Sequence, residues 1–294
     1  MMQQDYAIRA TGFQDKVRIF ACRTTNLVNE IHRRHDTSAT VSAAVGRVAS
    51  IGAMMGLMHK GNEKITIQVS GDGPVGRIIV DADACGVVRG YVTNPQVDFP
   101  QNEFGKLDVR RAVGTTGTIY VIKDIGMKEP YRGSSEIISG EIGEDFTYYF
   151  TQSEQTPSAV GVGVLVDTDL SIKAAGGFII QLFPGAPDEV VQALEQRLAT
   201  LGNVSKKIDE GLTPEDLVHY IAGDGKILQR QDICFDCNCS IDRVKGMIKQ
   251  LGLAEVQSML SVERQAEVVC NFCNEKHMVS ESDLEQIESE LEGK

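Results

Sequence analysis

The sequence predicts an α+β protein with three parts: an N-terminal mixed α/β domain over residues 1–182, a helical linker over 183–231, and a small C-terminal domain over 232–294. Three observations lead there. Strand signals arrive in runs with few helices between them up to residue 182, which favours α+β over a doubly wound sheet. Leu182-Phe183-Pro184-Gly185-Ala186-Pro187 then breaks the pattern, and the chain turns helical. Five of the seven cysteines crowd into residues 234–273.

In chain order, residues 17–21 read as a strand, and Thr25 as the cap of a helix running to about His35. A second helix, rich in Ala, Gly and Met, is expected over 40–58 and should be buried. Residues 65–69 alternate with period two, and strands are also expected at 77–80, 87–92, 118–122, 146–150, 160–166 and 178–182. Asp83-Ala84-Cys85-Gly86 reads as a hairpin turn. Beyond the break, Val190, Val191, Leu194, Leu198 and Leu201 share a helical face that ends at Gly202. Thr213-Pro214-Glu215-Asp216 starts another helix, which stops at Gly223. Their narrow apolar stripes suit a connecting segment. In the last part, Ile241, Val244, Ile248 and Leu251 form a stripe behind a Ser240 cap. A second helix carries Leu253, Val256 and Leu260. A short hairpin of 268–269 and 278–279 and a final helix with Leu284, Ile287 and Leu291 close the chain.

The 294 residues suit about two domains at roughly 150 residues each. Net charge is −12, and residues 232–294 hold thirteen Asp/Glu against six Lys/Arg. Such a surface repels phosphate backbones, which argues against a nucleic-acid partner for the cysteine-rich part. Met1-Met2-Gln3-Gln4-Asp5-Tyr6 lacks the basic and apolar regions of a secretory signal, and the apolar stretch 43–58 is short for a membrane span and contains Arg47. A cytosolic protein without a membrane partner is expected. Clustered cysteines then point to metal or redox chemistry more than to structural disulfides, while Cys22 and Cys85 stand alone.

Zinc takes four soft ligands in a tetrahedron, and two close cysteine pairs supply them with a single loop to close. Cys270-Asn-Phe-Cys273 has the usual knuckle spacing. On the other side, spacing allows either Cys237-Asn-Cys239 or Cys234-Phe-Asp-Cys237, so Cys234 competes with Cys239. His277 lies within reach, but four thiolates already complete the shell. About sixty residues with so small a core are marginal alone, so the fold is expected to depend on the metal. The bland reading is a constitutive structural zinc knob. The sharper one is a redox domain, because thiolates held by zinc are the oxidisable form and a disulfide would release the metal.

Cys237-Asn-Cys239-Ser240, twenty-nine residues, then Cys270-Asn-Phe-Cys273-Asn-Glu resembles the redox-regulated 33-kDa heat-shock chaperonin family of bacteria. Leu251-Gly-Leu-Ala-Glu-Val256, Gly71-Asp-Gly-Pro-Val-Gly76, Gly90-Tyr-Val-Thr-Asn-Pro95, Glu129-Pro-Tyr131, Ser153-Glu-Gln155 and Gly176-Gly177 also look like that family, so the resemblance spans nearly the whole chain. It implies an ATP-independent holdase, not an enzyme, that protects unfolding and oxidatively damaged proteins. It implies one Zn2+ per chain in the reduced, inactive state, held by Cys237, Cys239, Cys270 and Cys273. Activation then means next-neighbour disulfides Cys237–Cys239 and Cys270–Cys273, zinc release, unfolding of the zinc domain and linker, and homodimerisation. Cys234 lies outside the family's motif, and His277 stands where an aromatic residue is expected.

Rival motifs are weaker. Gly71-x-Gly73-x-x-Gly76 matches a dinucleotide fingerprint, but a strand follows it where a helix should open. His32, Arg33, Arg34 and His35 read as a solvated helix end, and Met54, Met55 and Met58 as core. Glu141, Glu144 and Asp145 have no opposing element that would make an acid/base pair. A thiol–disulfide oxidoreductase acting through Cys270 and Cys273 would want a βαβ context, which the pattern lacks.

Overall fold

Chain segments that alternate apolar and polar residues form sheet faces turned to solvent on one side, and segments that are apolar throughout fill the centre. In the computed structural model, which describes residues 4–293, the first compact unit is Met1–Asp236 and the second Cys237–Lys294. Residues 1–3, which open the stretch read for a signal sequence, lie outside the described residues.

The first unit runs β1 (Tyr6–Gly12), β2 (Val17–Arg23), α1 (Thr25–His35), α2 (Ala39–Gly56), β3 (Lys64–Gly71), β4 (Arg77–Asp83), β5 (Val87–Val92), α3 (Val109–Val113), β6 (Gly117–Asp124) and β7 (Tyr131–Glu136). It continues with α4 (Gly143–Gln152), β8 (Ser158–Val166), β9 (Ile172–Leu182), α5 (Asp188–Leu201), α6 (Val204–Asp209), α7 (Pro214–Ala222), β10 (Lys226–Asp232) and β11 (Cys234–Phe235). Two sheets form, ordered β10-β1-β2-β9-β8 and β11-β5-β4-β3-β6-β7, antiparallel throughout except for the parallel β11–β5 pair. This is the α+β architecture expected from the sequence.

α2 is the hub. It is long and apolar enough to cross a membrane, yet 89% of it is buried inside the unit. Ile65, Ile67, Val69, Ile78, Val80, Ile119 and Val121 of the six-stranded sheet share a core with it, as do Phe20, Cys22, Ala175 and Ile179 of the five-stranded sheet. Gly46 permits the close approach: a Cβ there would lie 2.7 Å from Val28 and 2.8 Å from Val164. The five-stranded sheet is also covered on its other side. Ile8, Ala10, Ile19, Ala21, Phe178 and Ile180 form a second core with Leu194, Leu201, Val204, Ile208, Leu217, Val218 and Ile221 of α5–α7. A sheet buried on both faces loses period-two alternation, which is why β1 carries no strand signal.

Two expectations need correction. Residues 146–150 are not a strand but lie in α4, where Phe146, Tyr149 and Phe150 bury one helical face. The carboxylate of Asp145 organises its start, accepting N–H bonds from Ile138 (2.9 Å), Ser139 (2.7 Å), Gly140 (3.2 Å) and Ile142 (2.8 Å). Those bonds hold Ile142 at a left-handed φ of 70°. Thr25 does not cap α1, because the helix already includes it and its hydroxyl accepts from the Ala175 N–H at 3.1 Å. The helix start is capped from a distance by Asp5, whose carboxylate accepts from the Leu27 N–H at 2.8 Å.

Asp5 is 2% exposed, and burial, opposed by the Leu27 N–H and the charge of Arg23, pushes its pKa up from 3.8 to about 6. The folded state therefore holds the proton more tightly than the unfolded one. The stability tied to Asp5 is full below pH 3.8 and is lost as pH rises through about 6, a change of roughly 3 kcal/mol. Asp5→Asn is expected to remove that decline when urea midpoints are compared between pH 4 and 7. A variant that declines as steeply as its parent would contradict this role.

Candidate metal centre

The second unit contains α8 (Ile241–Leu251), α9 (Leu253–Val262), β12 (Ala266–Val269), β13 (Lys276–Val279) and α10 (Glu281–Glu292). Its elements follow the local signals. Ser240 caps α8 by accepting from the Arg243 N–H, and Ser280 and Asp283 form a capping box on α10. Val244, Ile248, Val256, Ala266, Val279, Leu284 and Ile287 make its core, which is small.

Two pieces of backbone present the sulfurs. Cys237 and Cys239 lie just before the Ser240 cap. Cys270 and Cys273 lie in the turn of the β12–β13 hairpin, where the Cys270 N–H donates to the Glu275 carbonyl (2.9 Å) and the Asn274 N–H to the Cys270 carbonyl (2.8 Å). Asn274 adopts a left-handed φ of 59°, a conformation Asn tolerates well. The four sulfurs lie within 4.8 Å of one another, with Cys237–Cys270 at 3.8 Å and Cys239–Cys273 at 3.2 Å. A tetrahedral site with metal–sulfur bonds of about 2.3 Å spaces its sulfurs ~3.8 Å apart. None of the four is in a disulfide; Cys273 is buried and the others are half-buried. Donor type and spacing both fit a metal ion.

The sulfurs differ electrostatically. For Cys270, burial acts to raise the pKa, but N–H bonds from Cys273 and Phe272, with help from the Cys273 and Cys237 thiols, bring it down to about 7. Burial raises the Cys239 and Cys273 thiols above their usual range. Cys270 is thus more readily deprotonated than either of them before any metal arrives.

Cys234, which spacing allowed as a ligand, belongs to the first unit. It is exposed in β11, where its N–H donates to the Gly86 carbonyl at 3.1 Å, and the metal-holding group does not include it. Partial desolvation of the sulfur and the nearby Asp236, Asp83 and Asp232 raise its thiol, which disfavours a thiolate. His277 stands on β13 with Nε2 3.4 Å from the Cys239 sulfur, and Cys239, Glu275 and His277 form a second grouping of donor atoms within 4.8 Å. Sequence reading placed His277 within reach but did not find Glu275. The only cue was its position two residues after the knuckle.

The other motifs are structural. Gly71 and Gly73 lie where a Cβ would come within 1.9 Å of the Val113 carbonyl and 2.3 Å of the Ala112 carbonyl, so they let the β3–β4 turn close on α3. At the end of α1, Arg33 and Arg34 pair with Glu30, and His32 bonds the Thr37 carbonyl. Met54 and Met55 are core. Glu141 pairs with Arg47 at 2.7 Å, and Asp145 is used by the backbone of α4.

A family model described as Hsp33 protein matches residues 5–280. A 33 kDa chaperonin of Bacillus cytotoxicus is 52% identical over 97% of this chain and 98% of its own length. One from Bacillus pumilus is 51% identical over 98% and 99%. The crystal structure of the 33 kDa chaperonin of Thermotoga maritima superposes with a TM-score of 0.93 at 33% identity, covering 99% of this chain and 100% of that one. Fold, cysteine spacing and near full-length identity agree, and the chain belongs to the Hsp33 chaperonin family.

Proposed function

We propose that this chain is an ATP-independent holdase that binds unfolding and oxidatively damaged proteins, switched on by oxidation of Cys237, Cys239, Cys270 and Cys273. The observation that carries the reading is four unbridged thiols gathered within 4.8 Å in a unit with a small core. The all-sulfur donor set suits Zn2+, one per chain. Bound there, Zn2+ supplies the charge that keeps the sulfurs as thiolates.

Electrons and atoms balance in the redox step. A thiolate attacks a hydroperoxide, giving a sulfenic acid as the O–O bond breaks. The neighbouring thiolate attacks that sulfur and expels hydroxide, so each thiolate pair gives up two electrons in forming its disulfide, and one hydrogen peroxide leaves as two hydroxides that take two protons from solvent to become water. The pairs are Cys237–Cys239 and Cys270–Cys273, and the tighter Cys-x-Cys ring suits easy reduction back. Disulfide sulfurs no longer serve as thiolate ligands, so residues 237–294 lose the cross-link their core needs.

Unfolding that begins at Cys237 spreads along the chain into residues 183–231. That spread must first part β10 from β1; at the far end of the segment α5 is weakly held, burying only Leu194 and Leu201. Beneath α5–α7 lie Ile8, Ala10, Ile19, Ala21, Phe178 and Ile180, a ready apolar surface for an unfolded client. Homodimerisation of the oxidised form would enlarge that surface, and a cytoplasmic setting keeps the resting thiols reduced.

Val218 is fully buried in α7 against this sheet. Val218→Asp is expected to loosen α5–α7 and give a reduced, metal-loaded protein that already suppresses aggregation of a heat-unfolding client. A folded variant as inactive as its reduced parent would count against this surface.

A further inference from the structure

His277 is not needed to complete a four-sulfur shell, yet β13 aims it at one of the four. Its register is fixed by pairing with Val268 on β12, its ring is half-buried, and Nε2 lies 3.4 Å from the Cys239 sulfur. A sulfur serving as a thiolate ligand carries no proton and can only accept, so the proton of this contact sits on Nε2. We infer that His277 is a positioning residue that donates an Nε2–H bond to Cys239 and slows the attack of that sulfur on electrophiles and oxidants. The reason is general: a donor aimed at a sulfur lone pair withdraws the electron density with which that sulfur attacks, and it occupies one direction of approach. The imidazole contact is made to Cys239, so the restraint falls on one member of one pair. Slower attack on oxidant matters to function only through the switch proposed above, whereas slower attack on a simple alkylating agent does not depend on it.

The test uses the full-length, reduced, zinc-loaded protein together with its His277→Phe and His277→Gln variants. Phenylalanine keeps a ring without a donor, and glutamine keeps a donor without the ring. The first readout is the rate at which iodoacetamide labels Cys239, followed by peptide mass spectrometry. The second is zinc release under hydrogen peroxide, with zinc affinity measured by chelator competition. His277→Phe is expected to raise Cys239 labelling about five- to tenfold, the factor one hydrogen bond of this kind commonly gives. His277→Gln should return it most of the way, and labelling of Cys270 should stay within about twofold. Equal labelling in the parent and the His277→Phe variant overturns the inference. So does equal acceleration in both variants, which would mark a packing role. If the parent releases no zinc under peroxide, the switch fails while the labelling arm still decides the role of His277.

Discussion

Cys273→Ser is expected to strip the bound metal and unfold residues 237–294, while Cys234→Ser leaves both metal and fold intact. Cys273 is the most buried of the four sulfurs and sits in the hairpin turn that carries two of them. Serine there leaves three thiolates and a poor oxygen ligand. Structural zinc contributes about 10–16 kcal/mol of apparent binding energy in small metal-dependent folds, far more than this unit's modest core can replace. Metal analysis should read about one zinc per chain in the parent and in the Cys234 variant, and near zero in the Cys273 variant. Amide NMR dispersion from residues 237–294 should vanish with it. Full zinc content and a folded spectrum after Cys273→Ser, or loss of zinc after Cys234→Ser, would show that the ligand set is wrong.

Asp145→Ala is expected to be the most damaging single change away from the cysteines. One buried carboxylate serves four backbone N–H groups and holds a β-branched residue, Ile142, in a left-handed conformation. Alanine leaves those donors without their acceptor inside a buried turn, and nothing then restrains the strained backbone. Several unmet buried donors together point to a loss of about 4 kcal/mol, which lowers the melting temperature by roughly 10 °C in a unit of this size. Asp145→Asn keeps one acceptor oxygen and should fall between. Calorimetry of the reduced protein reads both. A melting temperature within a degree or two of the parent for Asp145→Ala would mean that solvent replaces the carboxylate freely.

Local chemistry made much of this legible in the sequence. The Thr213 and Ser240 caps mark helix starts by side-chain hydrogen bonds that need no tertiary context. The alternation at 65–69 and 87–92 survives because the six-stranded sheet buries one face only. Signals failed where tertiary burial overrides them. β1 is buried almost end to end because helices cover its sheet on both sides, so its alternation is gone. β10 and β11 are strands whose residues are largely polar or exposed, held by pairing with β1 and β5 and not by an apolar face of their own. Phe146 to Phe150 misled because a short run dominated by aromatic residues suits a strand or a buried helix equally, and the decision lies with Asp145 one residue earlier. At the metal centre, Cys270 and Cys273 follow from spacing alone. Spacing left Cys234 and Cys239 open and the family resemblance favoured Cys239; the structure has Cys234 in β11, paired with β5, and Cys239 beside Cys273.

The switch is tested most directly by following one sample in two ways. Reduced, zinc-loaded protein is treated with hydrogen peroxide while a zinc-sensitive dye reports release, and aliquots are assayed for suppression of aggregation of a heat-unfolding client. Expected is a rise of both signals together, mass spectra showing Cys237–Cys239 and Cys270–Cys273 bridges, and reversal of both on adding dithiothreitol and zinc. Client protection equal in the reduced and oxidised protein, or full zinc release with no gain in protection, would contradict a switch built on these four sulfurs.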